Sequence, residues 1–102
     1  MATKFAIVSG GGASVAKAAS TANLTLSGAQ TVDGVSLIAG NICLVKNQTT
    51  SSQNGLYTVS AGVWTKISQP VSVYISSGTL SSGLNFFLSA TNTYTASSGA
   101  YA

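Results

Sequence analysis

The sequence predicts an all-β fold, an antiparallel β-sandwich or a small partly open barrel with an extended N-terminal arm. Three observations carry this. Short runs of Val, Ile, Thr, Tyr, Phe and Trp recur between clusters of Gly, Asn, Asp and Ser. Within several runs apolar and polar residues alternate, as in Val71-Ser72-Val73-Tyr74-Ile75, which sets one face in a core and the other outside. Asp33-Gly34 and Asn54-Gly55 stand between β-formers, where a hairpin needs residues that tolerate positive φ.

The elements follow in order. Phe5-Ala6-Ile7-Val8 has the composition of a first strand, and Gly10-Gly11-Gly12 after it reads as a hinge. Ala13 to Ala19 is the one stretch with helical composition, but it is short for a stable helix and fits an extended arm or a single turn equally. Residues 1–17 are therefore assigned to the arm and 18–102 to a single β domain. Leu24 and Leu26 alternate with Thr25 and Ser27, as in a half-buried strand. Thr31-Val32 and Val35-Ser36-Leu37 form a hairpin about Asp33-Gly34. Ile42-Cys43-Leu44-Val45 is apolar on both faces and belongs at the centre of a sheet.

Asn47 to Gly55 is a polar loop; Leu56 to Val59 and Val63 to Ile67 are strands joined by a three-residue turn, Ser60-Ala61-Gly62. Pro70 opens the next strand, a position where proline is tolerated. Gly78 and Gly83 bracket a Ser-rich turn, Leu84 to Leu88 alternates, and Thr91 to Thr95 closes the series.

Charge is the abnormal property. The chain of 102 residues has 5% charged side chains, against roughly 25% in ordinary soluble domains. The charged residues are Lys4, Lys17, Lys46, Lys66 and Asp33, with no Arg, Glu or His. A surface that gives up mixed charge is expected to be covered by neighbours, including copies of itself. The net charge of +3 comes from scattered lysines, and nucleic acid would need them clustered. No apolar run reaches the ~20 residues of a membrane helix, and the short apolar start broken by glycines does not resemble a signal peptide. Neither nucleic acid nor a membrane is expected as a partner.

The same inventory bears on catalysis. A carboxylate pair, a Ser-His-Asp set and a Cys-His set each require residues the chain does not have. Metal clusters are excluded on the same ground, and nothing in the sequence calls for a cofactor. A Ser–Lys pair is the one nucleophile arrangement that the composition leaves open, and no motif frames it. The chain is expected not to be an enzyme. Cys43, alone among aliphatic residues, reads as an inert core thiol.

One long stretch resembles a module of bacteriophage tail fibres and related virion proteins. It runs through Ala19-Ser20-Thr21-Ala22-Asn23-Leu24-Thr25-Leu26-Ser27-Gly28, Gln30-Thr31-Val32-Asp33-Gly34-Val35, Leu44-Val45-Lys46-Asn47-Gln48-Thr49-Thr50, Gln53-Asn54-Gly55-Leu56-Tyr57 and Ala61-Gly62-Val63-Trp64-Thr65-Lys66. The chain departs from the family's pattern at Asn41-Ile42, where relatives carry Asp-Arg. The resemblance implies a structural role without a catalytic set, a homotrimer, and a place in the virion after assembly in the host cytoplasm.

Read as nearly the whole protein, a domain about 26 Å across suits a capsid decoration (cement) protein on the head lattice, in contact with the major capsid protein. The alternative is a tail-fibre or tail-tip component that binds a host glycan. The candidate partner contacts are Phe5, Ile7 and Val8 of the arm, expected to lie across the shell and add a strand to a neighbour, together with Tyr57, Trp64 and Tyr74. Trp64 and Tyr57 are the rings a sugar would stack on, or else core residues. Tyr74, Tyr94 and Tyr101 are expected on an outer or inter-subunit face.

Overall fold

A computed structural model describes residues 13–96. Among them there is no α-helix, and the chain is built from ten short strands. These are β1 (Ala13–Ala16), β2 (Ala18–Ala19), β3 (Gln30–Val32), β4 (Val35–Leu37), β5 (Ile42–Val45), β6 (Gly55–Thr58), β7 (Thr65–Ser68), β8 (Ser72–Ile75), β9 (Asn85–Ala90) and β10 (Thr93–Ala96). One 3-10 turn spans Ser51–Gln53. The all-β, sandwich-like architecture is the one the sequence predicts, and no sheet closes into a barrel among these residues.

Three layers stack. The central sheet has the order β2-β5-β6-β7, one outer sheet has the order β10-β9-β8-β1, and the β3-β4 hairpin lies on the opposite side. The alternation of β5 and β6 sends side chains into both interfaces. Cys43, Val45 and Tyr57 pack with Ala18, Val32, Val35, Leu37, Val59 and Trp64. Leu44 and Leu56 pack with Ala16, Ala19, Val73, Ile75, Phe86 and Tyr94. That is why Ile42–Val45 carries no polar face: each side of this strand meets a core. Full burial of side chains such as Leu37, Leu44 and Ile75 stabilises the fold by about 1.5–3 kcal/mol each.

The segment 13–19 ties the layers together. β1 runs parallel to β8, and β2, just beyond Lys17, runs parallel to β5. The Lys17 amide donates to Ile42 O at 2.8 Å while Ser77 N donates to Lys17 O at 3.0 Å, so the crossing residue is bonded to both sheets. Residues 13–17, placed in the arm by composition, thus form part of the folded body. Each four-stranded sheet is mixed rather than purely antiparallel. Small side chains permit the crossing: Ala16, Ala18 and Ala19 are fully buried between the layers.

The predicted Asp-Gly hairpin forms. Asp33 has φ 49° and Gly34 φ 78°, positive at both central residues as a type I′ turn requires. Three other sequence readings need correction. Asn54-Gly55 does not reverse the chain: Asn54 is extended at φ −71°, ψ 144°, and the reversal comes earlier, at the 3-10 turn. Gly55 opens β6 at φ 153°, where a Cβ would stand 2.6 Å from Lys66 Cε and 3.0 Å from Ser68 O. Its role is close packing. The link from β6 to β7 is longer than three residues, because Trp64 N donates to Leu26 O and Gly28 N to Gly62 O, both at 3.0 Å. These bonds draw residues 62–64 away from the sheet.

Leu24 and Leu26 are half-buried against the core as their alternation suggests, yet 24–27 is not a strand. Only an isolated bridge, Ser27 to Val63, forms there.

Candidate functional site

Three of the charged side chains of the described body, Asp33, Lys46 and Lys66, serve local structure. Asp33 turns its carboxylate to the 78–83 loop, accepting from Leu80 N at 3.0 Å and Ser81 N at 3.0 Å, while its own carbonyl accepts from Thr79 N at 2.9 Å. The hairpin tip is thereby clamped to the end of the outer sheet. Gly78 allows the close approach, since a Cβ there would meet Asp33 Oδ2 at 2.5 Å. Replacing Asp33 with alanine frees two amides that bond a charged acceptor, and should lower stability by about 1–2 kcal/mol. Asp33→Asn, which retains one carbonyl oxygen, should lose less. Urea titration of both variants checks the order, and equal losses would show that a neutral amide oxygen cannot stand in for the carboxylate at these amides.

Lys46 stretches over the Phe86 ring with Nζ 5.0 Å from the centroid and donates to Asn47 Oδ1 at 3.0 Å. Burial lowers its pKa, and the Asp33 charge partly offsets this. Lys66 Nζ donates to Ser52 O at 2.9 Å, bracing the 3-10 turn. Among the described residues, Ser20 and Lys46 are a Ser–Lys combination that shares a bonding partner. The Ser20 hydroxyl accepts from Lys46 N at 2.8 Å and donates to Asn47 Oδ1 at 3.3 Å. Lysine and serine therefore both donate to one amide oxygen, which carries no proton between them.

Cys43 is fully buried in β5. Burial pushes its thiol from an ordinary 9.0 up to about 12. Reactivity belongs to the thiolate, so a disulfide-exchange reagent at pH 8 should leave Cys43 unmodified in the folded protein and label it fully in denaturant. Because the folded-state pKa is raised, the thiol's contribution to stability is complete below about pH 9 and is lost as pH rises toward about 12. Rapid labelling of the native protein would refute this placement.

The sequence-predicted contact residues separate. Phe5, Ile7 and Val8 lie outside the described residues, as does Tyr101. Trp64 is 4% exposed and Tyr57 6%. Their rings stand 6.5 Å apart, tilted by 56°; Trp64 Nε1 donates to Gly28 O at 2.9 Å and Tyr57 Oη to Gln53 O at 2.6 Å. Both are core residues with satisfied polar tips, which corrects their reading as surface contacts and removes the aromatic platform on which glycan stacking was argued. Tyr94 is likewise buried, with its hydroxyl donating to Pro70 O.

Among the described candidates Tyr74 is the one exposed as expected, at 42%, and it has company: Val15 is 61% exposed and Phe87 46%. Val15 pairs with Tyr74 across β1 and β8. Tyr74 pairs with Asn85, which sets Phe87 on the diagonal in β9, within reach of an aromatic side chain on the same face. These three define the outer face of the outer sheet. Phe87 was legible in the sequence, because consecutive phenylalanines in a strand must face opposite sides. Val15 was not, since its segment had helical composition.

No known protein family matches the chain, and neither a curated protein nor a solved structure matches it significantly. No helix among the described residues is long and apolar enough to cross a membrane.

Proposed function

We propose that this chain is a bacteriophage virion structural protein, a capsid decoration (cement) protein that reinforces the head lattice as a homotrimer in contact with the major capsid protein. The observation that carries the reading is a surface poor in charge and rich in large apolar side chains. Asp33, Lys46 and Lys66 bond to their own chain, while Ile38, Val63, Ile67 and Leu80 are exposed around the body. Such a surface suits a subunit that is covered once assembled.

The segments that carry the resemblance to phage modules are also bonded to one another. Leu24 is held by Gln48, Thr49 by Asn23, and Trp64 by Leu26 and Gly28, which supports a module defined by its fold rather than by chemistry. A body of 41 × 25 × 25 Å suits a knob on a repeating site.

Copy number in purified particles tests the assignment. Hundreds of copies distributed over the head are expected, and a handful at one vertex would move the protein to the tail. Light scattering of the purified chain should give three times the 10.1 kDa chain mass; a monodisperse monomer at high concentration would remove the trimer.

A further inference from the structure

We propose that the outer face formed by Val15, Tyr74 and Phe87 is the docking site of the chain's own segment Phe5-Ala6-Ile7-Val8. The inference concerns the isolated chain and does not depend on the particle assignment. The face exposes three large apolar side chains, and the cross-strand positions Ser72, Asn85 and Thr95 beside them are polar but uncharged. Its size discriminates between occupants. Four strands about 4.8 Å apart and four residues long give about 19 Å by 13 Å, on the order of 250 Å². A stable contact between two copies needs about 800 Å² per partner, so this face alone is too small for one. A four-residue apolar strand is about 13 Å long and matches it.

Position favours the same segment. Ala13 pairs with Ser72 and Ser72 with Phe87, which sets Phe87 two strand spacings, about 10 Å, from the start of β1. The tether Ser9-Gly10-Gly11-Gly12 reaches about 13 Å when extended, enough to bring Val8 to that row. Its glycines permit the reversal at no steric cost. A tether this short holds the segment at millimolar effective concentration over its own domain. Because β1 and β2 are fixed in the sheets, the tether starts at the edge of this sheet, which favours the chain's own domain over the neighbour's strand edge expected from the sequence. Alternation puts Phe5 and Ile7 on one side of the segment. With Val8 at the Phe87 row, Ile7 falls near Phe87 and Phe5 near Tyr74.

Paired cysteines in the full chain test this, since the native Cys43 is buried and silent. Ile7→Cys with Phe87→Cys, and Phe5→Cys with Tyr74→Cys, are oxidised mildly and compared with Ile7→Cys with Val63→Cys. Val63 is exposed on the hairpin loop that bonds to residues 26–28, across the central sheet. All the new cysteines on the body replace exposed side chains, so folding is preserved. An intrachain disulfide is expected to form at least tenfold faster in the first two pairs than in the third, at a rate independent of protein concentration. Equal rates in all three pairs would overturn the proposal, as would products that are only interchain and scale with concentration, which would give the face to a second copy. As an independent readout, Ile7→Asp should raise hydroxyl-radical labelling of Tyr74 and Phe87 several-fold while leaving Tyr94 unchanged. Unchanged labelling of all three would also overturn it.

Discussion

Trp64→Ala is expected to lower the stability of this protein by about 3–5 kcal/mol, the range for removing a fully buried large aromatic side chain. The ring closes the core between the central sheet and the β3-β4 hairpin, among Val32, Val35, Leu37 and Tyr57. Deletion leaves a cavity that this interface cannot collapse to fill, because β3-β4 is itself clamped at its tip by Asp33. The indole also has a polar task. Its N–H bonds to Gly28 O, and the backbone around it bonds to Leu26 and Gly28, so the loop 61–64 and the segment 24–28 hold one another. Trp64→Phe separates the two contributions: it keeps much of the volume and leaves Gly28 O without its donor, for a loss of about 1–3 kcal/mol. The measurement is the denaturation midpoint at constant slope. A loss below about 1 kcal/mol for Trp64→Ala would mean that the ring is not in the core and would restore it as a surface aromatic.

What the sequence made legible was governed by local rules. Asp33-Gly34 is a turn because of φ preferences carried by two residues. Ile42–Val45 is central because four consecutive apolar side chains have no other place, and the Ser-rich turn between Gly78 and Gly83 lies where glycines allow positive φ. The readings that failed depended on partners distant in sequence. Asn54-Gly55 has turn composition, but Asn54 Oδ1 bonds Gln48 N, its Nδ2 bonds Asn92 O, and Gly55 is needed for close passage by Lys66 and Ser68.

Ala13–Ala19 has helical composition, but two sheets offer hydrogen bonds to its backbone, and a parallel pairing has no signature in the strand itself. The burial of Trp64 and Tyr57 was open for a similar reason. Aromatic rings with polar tips suit a wet surface and a core equally, and only the tertiary acceptors Gly28 O and Gln53 O decide the matter. The Val15–Tyr74–Phe87 face was hidden because its members come from strands that are neighbours only in the folded sheet.

The missing strand at 24–27 has its explanation in one side chain, and this yields the second large expected effect. Gln48 is buried and presents its amide to Leu24 as a neighbouring strand would. Its Oε1 accepts from Leu24 N at 2.7 Å and its Nε2 donates to Leu24 O at 3.0 Å. Nε2 also donates to Gln53 Oε1 at 3.2 Å, and the Gln48 amide nitrogen of the main chain donates to Asn54 Oδ1 at 2.9 Å. Leu24 thus has its backbone satisfied by a side chain and needs no ladder. Gln48→Met keeps the length and volume but removes both polar ends, and should cost about 2–4 kcal/mol because a donor and an acceptor of Leu24 lose their partners together.

Gln48→Glu is the sharper test. The carboxylate still accepts from Leu24 N but faces Leu24 O and Gln53 Oε1 with no proton to donate. Protonation restores the missing donor, so the folded-state pKa of the introduced acid should lie above its unfolded value of about 4.3. The folded protein then binds more protons than the unfolded one, and stability relative to wild type must fall as pH rises through that range. Urea midpoints of Gln48→Glu and wild type at pH 4 and pH 7 should show the gap widening by at least about 1 kcal/mol at the higher pH, while Gln48→Met shows the same deficit at both. A gap independent of pH would mean that Gln48 does not donate to Leu24 O, and the absence of a strand at 24–27 would then need another cause.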